Sequence, residues 1–238
     1  MQPYFLARLG KPVQDFVLEV EHGAGVAIEV VLTPDLNDGG PLGQGNLEVI
    51  IGARQIQLYA PANGYLPDGA VRHEVLHVKR FHIDGVPQLV IADAADWDDG
   101  FAVALGRLDN AIEHLAIVPV ELQLHPERRS HWEAVMQAVC DGLPDVPEEE
   151  RSLAICMHWT FLRHVLPDSS QAAIMRRYAA QHALLDIANS FADQFLSVVN
   201  SKEDSVRLLF DAFPQIGRNR SALNYINSIV GKRQRPVP

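Results

Sequence analysis

Residues 72–80 read Arg-His-Glu-Val-Leu-His-Val-Lys-Arg. His73 and His77 are four apart, and Glu74 follows the first of them directly. On an α-helix the two imidazoles lie about 40° apart on one side, at about 100° per residue. Two imidazoles one turn apart can reach a single tetrahedral ion. Glu74 lies about 60° beyond His77, too far round to be a third ligand from the same turn. It can still reach a water bound to that ion. Two ligands plus a general base is the physical logic of the H-E-x-x-H pattern. The competing reading is a solvated helix face whose spacing arose by chance among ten histidines.

A catalytic zinc takes three protein ligands and leaves a fourth position to water. The candidate segment for the third runs from Asp98 to Leu115. Phe101, Leu105, Leu108, Ile112 and Leu115 make an apolar stripe at helical spacing. Beside it run Ala102, Gly106, Asp109 and Glu113: two small residues that admit a second helix, then two carboxylates one turn apart. Glu113 is the expected third ligand, and Asp109 is expected to hold a ligand imidazole in its tautomer. His114, on the side shared with Asn110 and Arg107, is the alternative ligand. A plain wet helix face is the alternative for Asp109 and Glu113 together.

These residues need elements to carry them. Phe16–Glu21, Val26–Leu32, Leu47–Ile51 and Gln55–Ala60 are β-branched and partly alternating, which predicts strands. Turn signals at His22–Gly25 and Asp38–Gly45 separate them. A helix is expected from about Asp68 to Phe81, a short strand at Gln88–Ala92, and a second helix from Asp96 or Asp98 to about Leu115. Beyond Pro119 the pattern is helical almost throughout, over roughly 127–141, 148–165, 169–199, 202–213 and 219–230. The expected fold is α+β: a small mixed sheet with an active-site helix over residues 1–120, then an all-helical lobe over 121–238.

At Ala70-Val71-Arg72-His73-Glu74-Val75-Leu76-His77 the sequence resembles the zincin superfamily of zinc metallopeptidases, with uncharged neighbours at Ala70, Val71, Val75 and Leu76. That superfamily sets its motif in a helix after an edge strand, the place Ile56–Ala60 would take here. The metzincin extension is absent, since Arg80 and Ile83 stand where it has Gly and His. The gluzincin pattern, with a glutamate from a later helix, is the closer likeness, over about residues 45–118. The resemblance implies a Zn²⁺ cofactor held by His73, His77 and Glu113. It also implies hydrolysis of a peptide or protein substrate with Glu74 as general base. The helical lobe would form a cleft wall or bind a regulatory protein partner.

Composition narrows the alternatives. The net charge of −10 argues against duplex nucleic acid and anionic membrane as partners. Hydrophobic residues are 47% of the 238 and no run approaches a membrane span, so a globular cytoplasmic protein is expected. Cys140 and Cys156 show no metal spacing and are expected as buried free thiols. His82 is expected at a helix end, Trp132 and Met136 in a core, and the basic tail Gly231–Pro236 is expected to fray. Two rival functions stand beside the peptidase: a catalytically inactive zincin-like binding or regulatory protein, and an interaction module carried by the helical half.

Overall fold

The computed structural model describes residues 1–36, 47–93, 95, 97–226 and 234–238. The fold is α+β, with two three-stranded sheets among the described residues. The chain divides into two compact units that are discontinuous in sequence. The first takes Met1–Gln88, Val120–Arg128 and Asn224–Arg233; the second takes Leu89–Pro119, Arg129–Leu223 and Gln234–Pro238. One change of unit falls between Pro119 and Val120.

In the first unit, helix α1 (Pro3–Leu6) precedes α2 (Lys11–Ala24). The expected strand Phe16–Glu21 is the middle of α2. Its buried residues Val13, Phe16, Val17 and Val20 recur at i, i+3, i+4 and i+7, a helical period that outweighs β-branching. Pro12 fits the first turn, and Gly25 ends the helix at φ 66°, in the left-handed region. Strands β1 (Ile28–Thr33), β2 (Glu48–Ile51) and β3 (Ile56–Pro61) follow, and the expected turn at Asp38–Gly45 lies outside the described residues. The sheet order is β1-β3-β2. β3 runs parallel to β1 (Val30 opposite Leu58) and antiparallel to β2 (Val49 opposite Leu58). The strand before the motif is thus central, not the edge strand expected of it. Its alternating residues Ile56, Leu58 and Ala60 are fully buried.

Helix α3 (Asp68–His82) carries the motif. Asp68 opens it, and its carboxylate accepts the Gly10 backbone N–H at 3.0 and 3.1 Å, tying the start of α3 to the start of α2. Lys79, Arg80 and His82 occupy the last turn, where cations suit the helix dipole. Val71, Val75 and Val78 are buried as the stripe predicts, and α3 packs on α2 and β2.

In the second unit, β4 (Gln88–Ile91), β5 (Ser221–Asn224) and β6 (Gln234–Pro236) form a sheet with β5 central. β5 stands in part of the expected helix 219–230, whose residues 227–230 lie outside the described ones. Three consecutive buried residues, Ser221, Ala222 and Leu223, suit a covered strand better than a helix with a wet side. In the tail, residues 231–233 lie outside the described ones. Gln234 is held, its side-chain amide donating to the Ile91 and Ala92 carbonyls at 3.0 and 3.1 Å.

Helix α4 (Asp99–Leu124) starts where Asp98 accepts the Phe101 N–H at 3.1 Å, as the acidic start predicts, but it does not stop near Leu115. It continues through Pro119. Proline in a helix interior costs about 3 kcal/mol or more. Here Leu115, Ile117, Val118 and Glu121 are almost wholly buried, so packing outweighs that cost. Helices α5 (Arg129–Gly142), α6 (Glu148–Val165), α7 (Ser170–Gln181), α8 (Leu185–Val198) and α9 (Lys202–Ala212) complete the unit, with α8 packed on α6 and α9. The single helix expected over 169–199 is broken between α7 and α8, where Ala183 has φ 56°. No helix among the described residues is long and apolar enough to cross a membrane.

Candidate metal centre

The solvated-face reading of α3 does not survive its burial. Ten of its fifteen residues are buried, and His73 and His77 are only 5% and 6% exposed. Two buried imidazoles on one helix need polar company, because an unpartnered polar group in a core is costly. Their ring centroids are 5.0 Å apart at 80°, edge to face, and His77 also stacks on Phe81 at 6.2 Å. Lys79, close after the pair, is half-buried and turned to Asp84 at 2.7 Å.

Behind His73 stands a carboxylate that the sequence reading missed. His73 Nδ1 lies 2.9 Å from Glu121 Oε2, and Arg128 Nε donates to Glu121 Oε1 at 2.6 Å. Glu121 is 0% exposed and Arg128 5%. Burial alone pushes the Glu121 carboxyl upward, but the His73 hydrogen bond and the charges of His73 and Arg128 outweigh it and hold the group at about 2. An ionised carboxylate only accepts, so Nδ1 of His73 carries the proton of this hydrogen bond. A carboxylate fixing the tautomer of an imidazole in this way is the usual support behind a metal-binding histidine. The expected stop of α4 before Pro119 hid Glu121. The available signal was its position seven residues after His114, nearly two helical turns.

Glu74 is half-buried. Burial raises its carboxyl to about 7; His73 and Arg128 pull down, while Glu121 and Glu48 push further up. A carboxyl with that value changes charge at neutral pH, as a general base needs. It also sets a pH dependence of stability. The folded value lies above the unfolded one, so between about 4.5 and 7 the folded chain keeps a proton that the unfolded chain has shed. Stability contributed by this group is complete below that window and falls as pH rises through it. Metal-free wild type is expected to lose on the order of 2 kcal/mol relative to Glu74→Gln between pH 5 and pH 8. Urea denaturation of both proteins in chelator at the two pH values measures it, and parallel pH curves would refute it.

The expected third ligand is otherwise engaged. Glu113 is 0% exposed, with Oε1 2.9 Å from Lys202 Nζ. Asp109, expected to orient a ligand imidazole, also binds Lys202, at 2.7 Å, and accepts the Leu89 N–H at 2.8 Å. Burial raises the Asp109 carboxyl, and Lys202 opposes the rise. Within the second unit these contacts tie α4 to the start of α9 and to β4. The helix phase put Asp109 and Glu113 on one face correctly, but a lysine almost ninety residues later could not be paired with them by local spacing. His114, the neighbouring residue on α4, is half-buried and meets the edge of Trp132 at 4.9 Å and 72°.

His82 and the thiols have structural settings. His82 is buried with Nε2 3.1 Å from the Gly52 carbonyl; burial lowers its pKa and the hydrogen bond opposes that. Cys140 and Cys156 are buried free thiols, and burial pushes Cys156 up to about 11, far from the thiolate needed for reactivity.

Protein-family models, curated proteins and solved structures contain no match to this chain.

Proposed function

We propose that the chain is a zinc-dependent peptidase of the zincin kind, with His73 and His77 as metal ligands and Glu74 as the general base. The observation that carries the reading is the buried run Arg128–Glu121–His73 behind an H-E-x-x-H helix. A carboxylate held ionised against Nδ1 is the support that a ligand imidazole takes. Glu113 is left out of the set because Lys202 engages it. Paired imidazoles one turn apart on a helix suit zinc.

When bound, the ion would supply Lewis acidity, lowering the pKa of a water molecule and polarising a substrate carbonyl. The chain's residues supply the rest. Glu74, near half ionisation at neutral pH, takes the proton from the attacking water and delivers it to the departing amine. Glu121 keeps the His73 proton on Nδ1, so that Nε2 presents its lone pair. The substrate is a peptide or protein. Two buried free thiols suit a reducing compartment such as the cytoplasm.

Elemental analysis of the purified chain tests the metal half of the proposal. About one zinc per chain is expected, and His73→Ala is expected to lose it while keeping its helical circular dichroism. A chain that carries no zinc after loading and dialysis would end the reading.

A further inference from the structure

We infer that Gly69 is a positioning residue for His73, acting through the stem of Arg128; the inference rests on the metal reading proposed above. Gly69 lies in the first turn of α3, four residues before His73. Its backbone does not demand glycine, since among the described residues the glycines with positive φ are Gly25, Gly64, Gly85 and Gly217. Space is what it supplies. A Cβ at Gly69 would stand 2.8 Å from Arg128 Cγ, 3.0 Å from Cδ and 3.4 Å from His125 Cβ. The aliphatic stem of Arg128 therefore lies directly across the bare backbone of α3.

That seating sets the far end of the same side chain. Arg128 Nε donates to one oxygen of Glu121 at 2.6 Å, and the other oxygen holds His73 Nδ1 at 2.9 Å. Residues four apart share a helix face, so Arg128 rests on α3 one turn below the imidazole it helps to orient. Any side chain at 69 must displace the Arg128 stem. Glu121 then loses its guanidinium, and the His73 proton is no longer pinned to Nδ1.

The test uses full-length wild type, Gly69→Ala, Arg128→Met and the double variant. Arg128→Met keeps an unbranched stem and removes only the guanidinium. Zinc affinity is measured by competition with a chromophoric chelator, and the His73 tautomer by ¹⁵N NMR of the metal-free protein. Gly69→Ala is expected to weaken zinc about 10–100-fold, the usual cost of losing support behind a ligand. Arg128→Met is expected to match it, and the double variant to be no weaker than Arg128→Met alone, because both changes cut one chain of contacts. In the metal-free protein the Nδ1–H form of His73 should dominate in wild type and give way to a mixture in Gly69→Ala. Zinc binding in Gly69→Ala equal to wild type, or losses that simply multiply in the double variant, overturns the inference. An unchanged tautomer in Gly69→Ala overturns it independently of any metal. If wild type binds no zinc yet the tautomer shifts as expected, the positioning chain stands and the metal reading alone falls.

Discussion

Glu74→Gln is expected to keep one zinc per chain and to lower peptide hydrolysis by about 10²–10⁴-fold, the usual worth of a general base. Gln has nearly the shape of Glu but cannot accept the proton of an attacking water. It stands on α3 beside the proposed ligand pair rather than within it, so zinc content is expected to be kept. The burial that raises Glu74 to about 7 makes the amide easier to accommodate than the carboxylate, so the variant should fold at least as well as wild type above pH 7. The decisive measurement is turnover of a quenched-fluorescence peptide library alongside zinc content. Equal turnover in wild type and variant would exclude Glu74 as the base. Loss of zinc together with activity would instead make Glu74 a ligand.

Lys202→Met is expected to destabilise the fold by about 3–5 kcal/mol, because it strands buried carboxylates without their cation. Lys202 is 4% exposed and Glu113 0%, so water cannot readily take over the ammonium's role. Chemical denaturation at pH 7 measures the loss. Pairing Lys202→Met with Glu113→Gln should recover part of it, since the amide needs no counter-ion. A cost under about 1 kcal/mol would mean the pair behaves as an exposed one. Glu113→Gln by itself should leave zinc content unchanged, because Glu113 is engaged by Lys202. Loss of zinc in that variant would restore Glu113 as a ligand.

Much of the first unit could be read along the chain because its signals are local. The strands at Ile28–Thr33, Glu48–Ile51 and Ile56–Pro61 follow from alternation, and α3 follows from the Val71, Val75, Val78 stripe. Phe16–Glu21 was misread because β-branched residues fit a strand and a helix equally well over six positions; the longer period, beginning at Val13, decides for helix. Ser221–Asn224 was misread for the opposite reason. A four-residue strand has no period long enough to announce itself, and it forms only because β4 and β6 flank it.

His73, Glu74 and His77 were legible because their chemistry depends on spacing within one helix, which the helical repeat dictates. Glu121, Arg128 and Lys202 were not, since each acts across chain separations that no local period encodes. Burial turned a plausible wet face into an enclosed imidazole pair, and packing around Pro119 carried α4 far enough to bring a carboxylate to His73. Local spacing set which atoms could meet on one helix. Long-range packing chose which carboxylate meets the imidazole and which meets the lysine, because charge pairing in an interior depends on distances that only the folded chain defines.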